Sequence, residues 1–237
     1  MPLTPDLRSL RKELERLTDN KKASFLQRFF KTGKGEYGEG DIFIGLTVPQ
    51  SRSLAVKDKD LSFLEILELL KSKIHEERLI ALLILVYRFE KNSNEQRRIY
   101  EFYLKNLKFV NNWDLVDLSS HHIIGEYLLD KPKDILFKLA RSKNLWEKRI
   151  SLISTFAFIR EGELDTSLEL AEILVNDKHD LIQKALGWML REIGKKDLKA
   201  EEIFLIEHYK KMGRTALRYA IEKFPEKKRL AYLNNTT

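Results

Sequence analysis

The 237-residue sequence contains no cysteine, so it can form neither disulfide bonds nor thiolate nucleophiles and metal ligands. It also lacks any apolar run of the ~18 residues that a membrane-spanning helix needs. The opening residues MPLTPDLRSL do not have the pattern of a signal peptide. We therefore expect a soluble, cytoplasmic protein without a membrane partner.

Proline is scarce, with five residues, and strand-like alternation of apolar and polar residues is nearly absent. Apolar residues instead recur at three- and four-residue spacing in FLEILELL, ERLIALLILVYRF and SLELAEILV. Short polar stretches such as KNSNE and DKPKD separate these segments, which is typical of turns between antiparallel helices. The sequence predicts an all-α protein.

The helical segments repeat along the chain. Aligning the openings of the second helix in each pair sets EERLIALL, NNWDLVDL, EKRISLIS and IQKALGWM in one register. Arg78, Trp113, Arg149 and Lys184 are then equivalent, at separations of 35, 36 and 35 residues. Repeats of this length stack and share a core, which predicts a right-handed α-solenoid of HEAT-like antiparallel helix pairs with a concave face. The tetratricopeptide signature of Trp, Leu-Gly and Tyr is missing.

We expect a single HEAT-like repeat domain over residues 1–237. Residues 1–60 would hold the N-terminal helices and a glycine-rich connection, and residues 61–237 would hold the repeats. A shorter fifth unit around GRTALRYAIEKF is expected to cap the array.

Half of the ten glycines lie between residues 33 and 45, in TGKGEYGEGDIFIG. A phosphate-binding glycine loop follows a strand, and no strand is predicted before this segment. One interpretation is a flexible turn that ends at Thr47 as a helix N-cap, with Pro49 just inside the next helix. The alternative is a loop that faces nucleic acid.

Lys and Arg outnumber Asp and Glu by 43 to 36, which gives a net charge of +7. The basic residues are dense from Lys195 onward and include Arg214 and Arg218. Such an excess favours a polyanionic partner such as nucleic acid, and a solvated helix face would produce the same pattern.

The segment NNWDLVDLSSHHIIGEYL is strongly apolar, yet it carries Trp113 and Asp117 one helical turn apart. At about 100° per residue, these two residues fall with Ser120 and His121 on one side, opposite residues such as Leu115. Asp117 is therefore expected to point away from the core.

The repeat register predicts a group of side chains on neighbouring units. It places Trp113, Arg149 and Lys184 at one helix position, and Asp117 and Trp188 one turn further along. A carboxylate and indole faces can stabilise the oxocarbenium-like sugar that forms when an N-glycosidic bond breaks, while cations hold the flanking phosphates. The alternative is structural: the tryptophans pack between repeats, and the carboxylate is satisfied by a histidine or arginine nearby.

Motifs for other chemistries are missing. The stretch HEER at 75–78 lacks the second histidine that a zinc-binding helix needs, and no Gly-Lys-Ser/Thr loop or Gly-x-Ser-x-Gly turn occurs. We expect a protein that acts without a metal or an organic cofactor, and without a nucleotide cofactor.

The motifs NNWDLVD, LWEKR, IQKALGWMLRE and RTALRYAIEKFP resemble those of the AlkD-like DNA alkylation-repair glycosylases, a family built from HEAT-like repeats. The resemblance extends from about residue 28 to 233, and NWDLVD and GWMLRE are specific in combination. It implies the release of N3- and N7-alkylated purines from duplex DNA, as in base excision repair. It also implies recognition from the backbone side instead of a base-binding pocket.

By this resemblance, Asp117 would be the catalytic carboxylate, Trp113 and Trp188 would lie against the DNA backbone, and Arg149 would contact a phosphate. Together with the basic residues of the repeats, the expected DNA-binding set is Arg149, Lys184, Arg214 and Arg218. The expected partner of the monomer is duplex DNA carrying alkylated bases. The alternative function is a non-catalytic repeat scaffold that binds DNA or another protein.

Overall fold

The computed structural model describes residues 6–234 and 236, and no β-strand occurs among them. The predicted all-α fold is confirmed, and the helix content is 71%. The chain divides into two compact units, Met1–Ser119 and Ser120–Thr237. The single repeat domain expected from the sequence stays a prediction. No helix in the described part of the chain has both the length and the apolar character needed to cross a membrane.

The helices of the first unit begin at capping residues that the sequence supplies. Thr47 and Ser62 each form a capping box, with Gln50 and Glu65 respectively, which satisfies free N–H groups at the helix start. The predicted N-cap at Thr47, followed by proline in the first turn, is confirmed. The α-helices in the described residues of this unit are α1 (Leu7–Leu17), α2 (Asn20–Phe29), α3 (Val48–Lys57), α4 (Phe63–Leu70), α5 (His75–Lys91), α6 (Gln96–Lys105) and α7 (Trp113–Asp117).

The core of the first unit forms around α5. Every residue from His75 to Val86 is buried, so this stretch has no solvent-facing side, as expected for a helix that is surrounded by others. Helices α3, α4, α6 and α7 pack against it.

The glycine-rich segment is attached to the start of α5. The buried Glu76 carboxylate accepts the backbone N–H groups of Ile44 at 3.0 Å, Gly45 at 2.8 Å and Leu46 at 3.3 Å. Gly45 has a φ of 92°, a conformation that favours glycine. The glycine-rich segment forms a connection before α3, as the sequence predicts. Its last residues are held in place by hydrogen bonds to the buried Glu76 carboxylate.

The second unit consists of two layers of helices. Helix α12 packs on α9 and α14, which are second helices of the neighbouring pairs, while α8 packs against α9, and α11 and α13 pack against α12. This arrangement is consistent with the predicted helical solenoid. The α-helices in its described residues are α8 (Asp134–Ala140), α9 (Leu145–Ser154), α10 (Phe156–Glu161), α11 (Asp165–Leu174), α12 (Asp180–Lys196), α13 (Leu198–His208), α14 (Arg214–Ala220) and α15 (Glu226–Leu233).

Helix α7 is much shorter than the apolar periodicity predicts. It ends at Asp117, and a π-helical turn occupies His121–Gly125. A π-turn widens the helix and changes the direction of the following side chains. Ser120 and His121 are buried, whereas Leu118 is half-buried. The prediction that Ser120 and His121 share an outward face with Asp117 is therefore wrong.

The helix starts also correct the repeat register. Trp113 is the first residue of α7, whereas Arg149 and Lys184 are the fifth residues of α9 and α12. A difference of one turn exceeds the residue or two by which helix boundaries vary. Asp117 is the fifth residue of α7, and Arg218 is the fifth residue of α14. Asp117 thus takes a repeat position that is basic in the later pairs.

Candidate functional site

Trp113 is half-buried and packs on aromatic side chains of the first unit. Its indole stacks on Phe30 with ring centroids 4.9 Å apart and an interplanar angle of 4°. It also meets Phe29 edge-on at 6.0 Å. Its backbone N–H donates to the Asn112 side chain at 2.8 Å, which begins the helix. Trp113 therefore has a structural role as well as a partly exposed surface.

Asp117 is also half-buried and closes α7. It lies near Tyr103, whose phenol shares a 2.8 Å hydrogen bond with Ser119. Burial raises the pKa of Tyr103, and the negative charge of Asp117 raises it further. Asp117 thus combines partial exposure with proximity to a buried, neutral phenol.

The other carboxylate of WDLVD has a different environment. Asp114 is buried and accepts a 2.7 Å hydrogen bond from His75 Nε2. The opposite nitrogen, Nδ1, lies 3.2 Å from Asp41, which also receives the Arg78 guanidinium at 2.6 Å and the Asn112 amide at 3.1 Å. Two carboxylates and two cationic groups thus form a buried ion cluster between the glycine-rich segment, α5 and α7.

The charges in this cluster stabilise one another. Burial alone would lower the pKa of His75, but the charge of Asp114 and the hydrogen bonds with Asp114 and Asp41 outweigh it and raise the pKa to about 9. Burial likewise acts to raise the pKa of Asp41, yet His75 and Arg78 hold it below its usual value. The imidazole is therefore protonated at neutral pH, and Asp114 is engaged in structure.

Trp188 lies on α12 in the second unit and is half-buried. Its indole N–H donates to the Glu192 carboxylate at 3.1 Å, which fixes the orientation of the ring. The indole centroid lies 6.0 Å from Phe156, which in turn meets His121 edge-on at 5.3 Å. The indole N–H of Trp188 is thus already hydrogen-bonded within the protein.

Arg149, expected to contact a phosphate, is only 5% exposed. Its guanidinium donates to the backbone carbonyl of Leu181 in the first turn of α12, so it joins α9 to α12. Its role as a phosphate contact stays a prediction.

The remaining predicted cations are closer to solvent. Lys184 forms a 2.8 Å ion pair with Asp180. Arg214 is exposed and donates to the carbonyl of Leu233 at 2.8 Å. Arg218 is exposed, and in the described part of the chain it makes no ion pair and no side-chain hydrogen bond. Arg218 is therefore the cation of the set that is best placed to take up a phosphate.

The structure groups the predicted residues by unit. Trp113 and Asp117 lie on the same short helix of the first unit. The other predicted residues, all in the second unit, are Arg149, Lys184, Trp188, Arg214 and Arg218. Within residues 6–234 and 236, no group of three or more His, Asp or Glu side chains is arranged to hold a metal ion.

Sequence reasoning missed the role of His75, Asp41 and Asp114. The signal was present in HEER, because four polar residues precede the long apolar run LIALLILV, and polar groups that are buried with such a run must be hydrogen-bonded. As a set of potential metal ligands, HEER does not indicate which acids surround the buried histidine.

Comparisons with known proteins agree with this description. No curated protein matches the chain. A solved structure described as a predicted DNA alkylation repair enzyme from Enterococcus faecalis superposes with a TM-score of 0.68, over 88% of this chain and 97% of that one, at 15% identity. At this identity the likeness shows the fold alone. Residues 10–224 match the family described as DNA alkylation repair enzyme, which is most of the sequence. The chain therefore belongs to the DNA alkylation repair enzyme family.

Proposed function

We propose that this protein is a DNA glycosylase that hydrolyses the N-glycosidic bond of N3- and N7-alkylated purines in duplex DNA. Membership of an alkylation-repair family supports a role in repair. The observation that carries the proposal is the contrast between the two carboxylates of α7. Asp114 is buried in an ion cluster, whereas Asp117 keeps partial exposure one turn after a half-exposed tryptophan.

The reaction needs few protein groups. An N7-alkylated purine is cationic in DNA, so its C1′–N bond can break with the electron pair going to the base, which leaves as a neutral molecule. The positive charge then develops on the sugar, where the Asp117 carboxylate stabilises it and an indole face assists through its quadrupole. Water adds to C1′ and loses a proton, which gives an abasic site and a free base.

The alternative is a repeat scaffold that binds DNA or protein without catalysis. The stacking of Trp113 on Phe30 and the burial of Arg149 favour it, because both residues have structural tasks. The two functions share a fold and differ at Asp117, so that residue is the place to test them.

Asp117→Asn should abolish base release, because the amide keeps the shape of the carboxylate and loses the charge that stabilises the sugar cation. We expect a fall of at least about 100-fold, in line with the loss of one electrostatic group in other enzymes. The measurement is the quantity of free base released from duplex DNA that contains N7-methylguanine.

Asp130→Asn is the matched control, because Asp130 is exposed and lies outside the proposed site. It should leave base release unchanged, and DNA binding and melting temperature should be the same for both variants and the wild type. If the wild type and Asp117→Asn release equal amounts of base, another residue is responsible for catalysis. If the wild type releases no base, the glycosylase proposal is refuted in favour of the non-catalytic scaffold.

A further inference from the structure

An open cavity of about 500 Å³ lies in the first unit, between the segment that joins α3 to α4, the end of α5 and the start of α6. Its volume is within the roughly 300–1,000 Å³ of pockets that hold small ligands. Trp113 and Asp117, the residues of the proposed site in this unit, do not line it. The proposed function therefore does not account for this cavity.

The lining is basic, and most of its positive charge is not neutralised. The charged lining residues are the cations Lys59, Arg88, Lys91 and Arg98 and the acids Asp60 and Glu95. Within the described part of the chain, Lys59, Lys91 and Arg98 make no ion pair and no side-chain hydrogen bond. Three cationic groups are thus available to an anionic ligand.

The fourth cation is already engaged within the protein. Arg88 donates to both carboxylate oxygens of Glu95, at 2.8 and 2.6 Å, and to the carbonyl of Leu61 at 2.9 Å. The hydrogen bonds from Arg88, and to a smaller extent the charge of Arg98, hold the pKa of Glu95 below its usual value. Glu95 is therefore ionised and paired with Arg88, which leaves the other cations without a partner.

Two half-buried aromatic rings lie among these charges. The guanidinium of Arg88 lies 4.7 Å from the ring centroid of Phe63, and that of Arg98 lies 4.1 Å from it. The Lys59 ammonium lies 5.7 Å from the ring centroid of Tyr87. Like charges near one another repel, and an anion bound between them would relieve the repulsion.

The helix ends at the cavity explain only one of the free cations. Lys91 lies in the last turn of α5, where a cation opposes the partial negative charge of the helix end. Arg98 lies in the first turn of α6, where the partial charge is positive and a cation is unfavourable. Helix stability therefore does not explain an arginine at position 98, whereas an anionic ligand does.

We propose that this cavity binds a nucleoside phosphate, either free or as one unit of a nucleic-acid strand. Lys59, Lys91 and Arg98 bind the phosphate, because ammonium and guanidinium groups form strong charge-assisted hydrogen bonds with phosphate oxygens. The base stacks on the Tyr87 ring, since aromatic rings beside a basic groove bind nucleotides of any sequence. The inference goes beyond the proposed function and does not depend on it.

The test is a calorimetric titration of the full-length protein with adenosine 5′-monophosphate, with adenosine and with inorganic phosphate. We expect saturable binding of the monophosphate. Adenosine should bind at least about 10-fold more weakly because it lacks the charged group. Inorganic phosphate should bind about 10-fold more weakly because it lacks the base. Adenosine monophosphate that binds no better than either fragment, or does not bind, would overturn the proposal.

Single charge removals locate the phosphate. Arg98→Gln and Lys91→Gln each remove an exposed, unpaired cation, so the melting temperature should be preserved. Each should weaken binding of adenosine monophosphate by about 10-fold and leave binding of adenosine unchanged.

Arg97→Gln is the matched control. Arg97 is the neighbouring exposed arginine on α6, lies outside the cavity and pairs with Glu101 at 2.9 Å. This variant loses the same charge and should bind adenosine monophosphate like the wild type. Affinity that is retained in both Arg98→Gln and Lys91→Gln, or that falls equally in Arg97→Gln, would overturn the proposal.

A single-stranded oligothymidylate distinguishes a nucleic-acid strand from a free nucleotide. If the ligand is a strand, the oligonucleotide should bind more tightly than adenosine monophosphate, and Arg98→Gln should weaken its binding. If the ligand is a free nucleotide, Arg98→Gln should weaken binding of adenosine monophosphate alone. Asp117→Asn should bind both probes like the wild type, so the result is independent of the base-release assay.

Discussion

At the scale of single residues, the fate of each charge depends on what surrounds it. Asp114 and Asp117 are three positions apart in WDLVD, and yet one is buried against His75 and the other is half-exposed. A buried charge is tolerated only when it is paired and hydrogen-bonded, which the ion cluster achieves with two carboxylates and two cations. The same pairing makes the stability of the first unit depend on pH.

The raised pKa of His75 predicts how that stability changes. Folding raises this pKa from 6.5 to about 9, so the stabilisation is fully present below pH 6.5 and is lost as the pH rises toward about 9. The contribution is of order 3 kcal/mol at most, from the free energy equivalent of the shift. Chemical unfolding of the wild type and of His75→Gln across this range should show a pH-dependent difference that shrinks as pH increases.

A second buried group titrates in an overlapping range and needs a control. Burial raises the pKa of Glu201, in the second unit, to about 8. The comparison is therefore best repeated in a Glu201→Gln background, where the contribution of that carboxyl is absent. Parallel stability curves for wild type and His75→Gln would mean that folding does not raise the pKa of the imidazole.

At the scale of secondary-structure elements, close helix contacts explain an unexpected glycine. Gly187 lies in the middle of α12, where glycine normally costs about 1 kcal/mol relative to alanine. A Cβ at this position would collide with the backbone carbonyl of Ala216 on α14. The glycine therefore permits the approach of α14 to the helix that carries Trp188.

Gly187→Ala should destabilise the protein in spite of its better helix propensity. Because the obstacle is backbone, α12 and α14 must move apart, and we expect the free energy of unfolding to fall by roughly 1–3 kcal/mol. Gly33→Ala is the control, since Gly33 is exposed and its Cβ would meet only the exposed side chain of Glu36. Equal or higher stability of Gly187→Ala in denaturant unfolding would contradict this account.

At the scale of the whole molecule, the net charge of +7 bears on the partner. If duplex DNA is the partner, affinity should fall with salt by about 0.9 logarithmic units per neutralised phosphate for each tenfold increase in salt. Arg218→Gln should reduce the magnitude of that slope by about 0.9, the contribution of one phosphate contact. Lys199→Gln, at an exposed position on α13, should leave the slope unchanged. Binding titrations at several salt concentrations measure both, and a slope of zero would remove DNA from the proposed partners.

The candidate site was predictable only in part. Family motifs identified Trp113, Asp117 and Trp188 as residues of interest, and all three are half-buried. The prediction that Ser120 and His121 share a helix face with Asp117 was wrong because it assumed one continuous α-helix. Helix α7 ends at Asp117, and a π-helical turn follows at His121–Gly125. The repeat register failed by one turn because apolar patterns fix the period of a repeat better than they fix the start of each helix.

The sequence by itself determined the features that depend on neighbouring residues. Helical periodicity, the cap at Thr47 and the basic charge all follow from the residues themselves or from neighbours within a few turns. Only the tertiary structure decided which carboxylate of WDLVD is buried, and that Lys59, Lys91 and Arg98 line one cavity. Those outcomes depend on contacts between distant segments, which a local pattern does not specify.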